Sequence, residues 1–466
     1  MKQIDKTYNK YLTLIGKCAD ELGYEAYVIG GYVRDMALGK EGHDIDVVCV
    51  GSGISLATKV SEELGGGAKL DVFQSYGTAH IQYKNVELEF VGARKEFYHR
   101  ESRNPIVENG TLKDDMERRD FTINDMAICL NDARFGEFVD TFGGMTDLEN
   151  GIIRTPLDPN ITFSDDPLRM LRAIRFATRF GFKIDEPTYQ AIKDNCDRLK
   201  IITTERIVDE VTKILKTDKP SVGFLKLEDT GLLKLILPEL SSLNIIETVD
   251  GVGHKNVFLH TLKVLDNVAE KSDNVWLRWA ALLHDVGKLK TKKWDSTERA
   301  WTFYGHATVG EKMVQQIFTR LKMPLGSELA YVKKMVSLHM RPIDLVSDGV
   351  TDSGVRRILF NAGDDIDELM ILCSSDITSR SQQKVERFRR NYKLLKQRMR
   401  EIEEKDHLRN FQPPVSGDDI MEMFNLKPCK TVGILKEAVK NAILDGEIPN
   451  EKEAAIKFVT EKYKTL

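Results

Sequence analysis

The sequence predicts a small α/β (α+β) unit at the N-terminal end and an all-α remainder. Three observations carry this. Up to about residue 150, short β-branched runs alternate with amphipathic helical stretches. From about residue 160 onward the helical period dominates. Pro413-Pro414 then interrupts the chain ahead of a last helical stretch, 415–466.

In the first region, AYVIG (26–30) reads as an apolar strand and GYVRDMAL as a helix behind a Gly-Gly turn. IDVVCV (45–50) is a β-branched strand, and SLATKVSEEL an amphipathic helix that stops at Gly65-Gly66-Gly67. KLDVF, HIQY and VELEFV follow as short strands. Beyond them, SDDPLRMLRAIRFATRFGF reads as one helix with Pro167 in its first turn, and TTERIVDEVTKILK as a second. Helical patterning continues through 260–320 and 330–400, without repeats or low-complexity tracts.

A length of 466 residues implies two to four packed units. Lys plus Arg number 68 against 72 Asp plus Glu, a net charge of −4, which excludes a bulk polycation but not a local basic patch. Basic residues concentrate at 94–119, 169–183 and 380–400. Cysteines at 18, 49, 129, 196, 373 and 429 form no C-x-x-C pair and read as free thiols of a reducing compartment. The N-terminal stretch has no signal core, and no run reaches the roughly 18 apolar residues that cross a bilayer. A cytoplasmic protein without a membrane role or an evident obligate protein partner is expected.

Asp44 and Asp46 sit at i and i+2 of a strand, so both side chains share one face. Two carboxylates that close repel unless a cation lies between them, and oxygen ligands of this kind suit Mg²⁺. Gly30-Gly31 joins a strand to a helix, where backbone N–H groups can approach a phosphate. Either feature alone is common. Their placement at two strand ends is less so.

VIGGYVRD…HDIDVV resembles the GG-x-x-RD…D-x-D signature of polymerase-β-like nucleotidyltransferases. RRDFTIND (118–125) and ELEFVGARKE (87–96) narrow the resemblance to class II CCA-adding tRNA nucleotidyltransferases and the related bacterial poly(A) polymerases. The resemblance implies a nucleotidyltransferase head at 1–150, a helical neck at 151–225, an HD domain at 226–380 and a tRNA-contacting tail at 381–466. It implies Asp44 and Asp46 as metal ligands and Glu89 as the third carboxylate, chosen over Glu87 by its spacing to Arg94. Gly30, Gly31, Arg34, Arg119, Asp120, Asn124, Asp166, Arg169 and Arg172 are the expected nucleotide-binding residues, with Arg119 preferred to Arg118. The competing reading of Arg34, Arg118 and Arg119 is ion pairing with Asp35, Glu117 or Asp120.

Asp165, Asp166 and Arg169 resemble the family's nucleotide-selecting E-D-x-x-R, with Asp165 in place of its first Glu. Residues i and i+3 of one helix lie side by side. A carboxylate accepting an exocyclic amino proton beside a donating guanidinium suits C and A, so CTP and ATP are the implied substrates without a template strand. The competing reading is a helix cap and an ion pair. Arg169, Arg172, Arg175 and Arg179 form a stripe over about a third of the helix, facing the nucleotide, an RNA backbone or solvent. Glu205-Arg206 and Glu210 resemble a structural brace.

ALLHDVGK resembles the HD phosphohydrolase signature. His260, His284, Asp285 and Asp376 match its H…HD…D ligands, and His306 and His339 the extra histidines of two-metal members. The implied cofactor there is a divalent metal whose identity imidazole and carboxylate donors leave open. The implied substrate is a phosphoester on tRNA. A lone histidine is more often core packing, but here every position is filled.

Residues 380–400 hold nine Lys or Arg and one Glu, fitting either an RNA surface or a solvated helix. The region from Pro414 on resembles the family's small C-terminal domain, with Cys429 where Gly is common. The expected activity is addition of CCA to tRNA. Poly(A) polymerase is the alternative, although GGGAKLDVFQSYGTAHIQY lacks its G-[RK]-R-F-x-x-x-H-V signature. Enzymes adding only CC or only A are a second alternative, and an RNA-binding scaffold with dead sites a third.

Overall fold

The computed structural model describes residues 6–40, 44–97, 106–244, 248–249, 252–253, 256–297, 300–348, 350–378, 382–406 and 412–465. They fall into two compact units, Met1–Ile236 and Leu237–Leu466.

The first unit is built on a seven-stranded sheet. Its strands are β1 (Glu25–Ile29), β2 (Asp44–Val50), β3 (Lys69–Phe73), β4 (Thr78–Tyr83) and β5 (Val86–Gly92), then β8 (Ala127–Cys129) and β9 (Phe138–Val139), with a separate ribbon of β6 (Arg94–Phe97) and β7 (Ile106–Asn109). The order is β3-β4-β5-β2-β1-β8-β9. Only β2 and β5 run parallel in this sheet. Ile45 and Val47 on β2, with Leu88 and Phe90 on β5, are buried, while Asp44, Glu87 and Glu89 alternate onto the opposite, open face. Burying each such apolar side chain contributes about 1.5–3 kcal/mol, so this alternation fixes which face presents the carboxylates.

Helices α1 (Lys6–Leu22), α2 (Gly31–Ala37), α3 (Gly53–Leu64), α4 (Leu112–Glu117) and α5 (Gly144–Asn150) complete the head. Leu56, Ala57 and Val60 of α3 pack on the sheet, and Ser52 caps that helix by accepting the Ser55 N–H.

The expected single helix over 164–182 is two. α6 (Pro159–Asp165) ends before Asp166, and α7 (Leu168–Phe180) begins after Pro167. Proline disfavours helical backbone at the preceding residue, and Asp166 is extended, with φ −133° and ψ 98°. Asp166 and Arg169 therefore do not share one helix face. α8 (Glu186–Asn195) and α9 (Thr204–Leu215) follow, with α9 packed on α7.

The second unit is a helical assembly. Its central helix, Val275–Leu283, is apolar except for Arg278, and it is buried from Leu277 to Leu283. Val257–Ala269, Ser327–Leu338 and Ile366–Asp376 pack around it, and His306–Arg320 packs on Ser327–Leu338. The long basic helix Gln382–Asp406 follows. Arg380 and Ser381 of the basic stretch lie outside the described residues.

One expectation fails here. The span 260–320 is not continuously helical, because an antiparallel hairpin, Lys293–Asp295 against Ala300–Thr302, interrupts it. Its Trp-Asp…Ala-Trp-Thr pattern favours strand over helix. Cys429 is extended, with φ −153°, and caps Lys430–Asp445, a conformation open to any residue.

Candidate functional sites

The head site gathers on the open face of β2 and β5. Across their parallel register, Asp46 stands opposite Glu89 and Asp44 opposite Glu87. Burial, with repulsion from Glu89 and Asp44, pushes the Asp46 carboxyl up to about 6 against the pull of Arg119. Gly30 lies against the same spot with φ 81°, and a Cβ there would come within 3.2 Å of Asp46 Oδ2 and 3.4 Å of Arg119 Nη1. Gly31 starts α2, a helix of only seven residues.

A continuous hydrogen-bond network joins α2 to α7. Arg34 Nη1 donates to Asn124 Oδ1 at 2.6 Å, and Asn124 Nδ2 donates to Asp120 Oδ1 at 2.9 Å. Arg172 Nε donates to Asp120 Oδ2 at 2.7 Å. Burial raises the Asp120 carboxyl, but Arg172 and Asn124 outweigh it and hold the group below its usual range. Phe176 lies beneath three guanidiniums, those of Arg34, Arg172 and Arg175, at 4.1–5.4 Å from its centroid. Of the stripe on α7, Arg169 and Arg172 therefore face the head's own stretch at Arg118 and Asp120. Arg175 is buried against Glu210 at 2.6 Å, the brace expected of that glutamate.

Arg34 pairs with Asp35, as its competing reading has it, at 2.8 Å. Arg118 and Arg119 pair instead with Asp115, a fully buried carboxylate that the sequence reading did not single out. Burial pushes Asp115 up, and the two guanidiniums overcome that and lower it. Asp125, also passed over, is fully buried with no hydrogen-bond partner for either oxygen, and burial raises it well above the carboxylate range. LKDDMERRD carried a signal for Asp115, which stands three and four residues before the two arginines.

At the break between α6 and α7, Asp166 Oδ1 accepts the Leu168 N–H at 3.1 Å. Its Oδ2 lies 3.8 Å from Arg206. Arg169 Nη2 donates to the Arg118 carbonyl at 2.5 Å. Asp166 thus caps the start of α7 through Oδ1, and Asp165 belongs to the preceding helix.

In the second unit, all six expected His and Asp residues converge. His260 Nε2 is 2.8 Å from Asp376 Oδ1, and His284 Nε2 is 3.4 Å from Asp285 Oδ2 and 3.6 Å from Asp376 Oδ1. His306 Nε2 is 3.5 Å from Asp285 Oδ1 and 3.2 Å from His339 Nε2. Two donor trios, His260-His284-Asp285 and Asp285-His306-His339, each lie within 4.8 Å and share Asp285. The Nδ1 atoms of His284, His306 and His339 face the carbonyls of Ala281, Phe303 and Val336 at 2.7–3.0 Å, and that of His260 faces Thr378 Oγ1 at 2.9 Å. Those contacts aim every Nε2 inward.

The donor set fits a divalent cation. His284 Nε2 is buried without a hydrogen-bond partner. Burial lowers the basicity of that imidazole, but Asp285 and Asp376 override it and raise it to about 10, so the pocket demands positive charge there. Lys288, which the sequence reading left out, supplies some, with Nζ 2.6 Å from Asp285 Oδ2. Gly287 allows the close approach of the His306 helix, since a Cβ there would meet the His306 carbonyl oxygen at 2.0 Å.

Fold and sites together define a nucleotidyltransferase head followed by an HD-type unit with a His–Asp cluster. The comparisons with known proteins agree. Residues 26–154 match the poly A polymerase head domain, 181–243 the "Probable RNA and SrmB- binding site of polymerase A" and 257–381 the HD domain. An A-adding tRNA nucleotidyltransferase of Deinococcus radiodurans is 32% identical over 439 residues, covering 92% of this chain and 94% of the relative. A CC-adding enzyme of Halalkalibacterium halodurans is 30% identical, covering 72% and 89%. The apo form II structure of a CCA-adding enzyme superposes with a TM-score of 0.67 at 23% identity, covering 99% of this chain and 97% of its own. The chain belongs to the tRNA nucleotidyltransferase family of enzymes. Among the described residues, no helix is long and apolar enough to cross a membrane.

Proposed function

We propose that this chain completes the 3′ end of tRNA by adding C, C and A from CTP and ATP without a template. The observation that carries the reading is the placement of Asp46 opposite Glu89, beside Gly30 and Arg119. The 3′-hydroxyl of the tRNA attacks the α-phosphorus of the nucleotide, the bond to the bridging oxygen breaks, and pyrophosphate leaves. Asp44 and Asp46 would hold Mg²⁺, which when bound neutralises triphosphate charge and acidifies the hydroxyl. Glu89 lies where it can orient the primer end. Arg34, Arg119 and Arg172 offset phosphate charge, their geometry fixed by Asp35, Asp115 and Asp120. Asp166 and Arg169 read the amino-bearing edge shared by C and A. In the second unit, the His–Asp cluster would hold a divalent metal and hydrolyse a phosphoester at an RNA end.

The structures of related enzymes with ATP, with CTP and with tRNA support these ligands. Addition of A alone is the second reading, favoured by the near-complete span of the Deinococcus relative. The test uses transcripts lacking the last three, two or one nucleotides, with labelled CTP or ATP. Full repair of all three is expected. Activity confined to CC-ended transcripts establishes the second reading, and a long A tail defeats both. Asp44→Ala should abolish addition and spare hydrolysis.

A further inference from the structure

The hairpin at the second centre has no part in the functions above. It lies between the two stretches that supply Asp285 and His306. Trp294 and Trp301 are direct cross-strand partners, edge to face with centroids 5.3 Å apart. Trp294 is 43% exposed and Tyr304 83%. Lys292 Nζ sits 4.1 Å from the Trp301 centroid. Lys288 Nζ lies 5.6 Å from the Phe303 centroid while it contacts Asp285. The Phe303 carbonyl meets His306 Nδ1 at 3.0 Å. Two aromatic–ammonium groups, Trp294-Trp301-Lys292 and Phe303-Lys288, therefore lie on the stretch between Asp285 and His306, the second of them against the His–Asp cluster. Lys290 and Lys293 are exposed and add to the positive charge.

The exposed indole of Trp294, beside a half-buried Trp301, favours a flat ligand, and interleaved ammonium groups favour a polyanion. Unpaired RNA offers both, a base to stack and a phosphate beside it. A duplex hides its base faces and does not fit.

We propose that this hairpin binds single-stranded RNA, stacking bases on Trp294 and Trp301 and holding phosphates with Lys288 and Lys292, and so delivers an RNA end to the His–Asp centre. The delivery clause rests on the reading of that centre as a phosphoester hydrolase. The binding clause does not.

The four tryptophans, at 276, 279, 294 and 301, all lie in the second unit and none in the head. The full chain, without added metal, is titrated with a non-self-complementary RNA pentamer. A saturable quench that weakens with salt is expected. In Trp294→Leu, with Trp301 still reporting, the midpoint should move to about tenfold higher RNA. Lys292→Gln keeps both indoles and should raise the midpoint and flatten the salt dependence. Absence of a quench, an unchanged midpoint in both variants, or equally tight titration by a blunt duplex or by free CMP overturns the proposal. With metal and subsaturating phosphate-ended pentamer, unchanged hydrolysis by Trp294→Leu despite its weaker binding overturns the delivery clause, whereas no hydrolysis by the wild type with the quench retained defeats the reading of the centre and leaves the binding site standing.

Discussion

Asp46 and Glu89 stand opposite each other across the one parallel strand pair of the sheet, while Glu87 faces Asp44 and lies 3.9 Å from His80. The two glutamates share a face and both border His80, which is the cross-strand partner of Glu89, but only Glu89 stands opposite Asp46. Glu89→Gln should lower kcat for nucleotide addition by about 10²-fold or more, a usual range for loss of a positioned acid or base. Glu87→Gln should leave it nearly unchanged. Single-turnover assays with saturating tRNA and CTP check the contrast.

Gly30 and Gly31 should not respond alike to alanine. Gly30 has φ 81° and ψ −136°, a region that other residues enter at a cost of about 1–3 kcal/mol, and its Cβ would press on Asp46 and Arg119. A Cβ on Gly31 meets only Arg34 Nη2 at an ordinary 3.5 Å. Gly30→Ala should lose most addition activity and Gly31→Ala should keep it, by the same assay.

Asp125 gives a pH prediction. Its buried carboxyl has a raised pKa, so the folded state keeps a proton that the unfolded state releases above about pH 4. The folded state then binds more protons, and stability falls as pH rises through that window. Asp125→Asn removes this slope. Its stability relative to wild type should grow with pH over the range in which Asp125 stays protonated. Urea unfolding at pH 5 and pH 7, followed by circular dichroism, measures this, and parallel slopes would refute it.

The Arg175–Glu210 pair is buried on both sides, with side chains 10% and 3% exposed. Glu210→Ala leaves an uncompensated guanidinium and should destabilise the first unit by about 3–5 kcal/mol. Combining it with Arg175→Met should recover most of that loss. A double-mutant cycle on urea midpoints reads the coupling.

Metal loading should stabilise the second unit. A cation present at about 100 times its dissociation constant contributes about 2.7 kcal/mol. Added Mn²⁺ or Ni²⁺ should raise the melting temperature of the wild type, a chelator should reverse this, and Asp285→Ala should abolish the response because both donor trios share that residue.

Much of this was legible in the chain. Alternation placed Asp44 and Asp46 on one face of their strand, the family resemblance supplied Glu89, and the strands IDVVCV and VELEFV appear where their patterns put them. The His–Asp set was readable because its members are few and chemically distinctive. Two kinds of feature escaped. Asp115 and Asp125 gain their character from burial, which a polar residue in a polar-looking loop does not advertise. The break at Asp166 was hidden because Pro167 fits either a first turn or a stop, and tertiary contacts with Arg118 and Arg206 decide between them.

That break changes how selectivity can operate. In an unbroken helix the offset between positions i and i+3 is frozen by the helical pitch. Here Asp166 lies outside α7, and its distance from Arg169 depends on a few backbone torsions at the proline. A purine carries its amino group farther from the sugar than a pyrimidine does. If Asp166 and Arg169 read the base as proposed above, two rings of different reach can be met by the same two side chains, because the backbone between them is not fixed by one helical pitch.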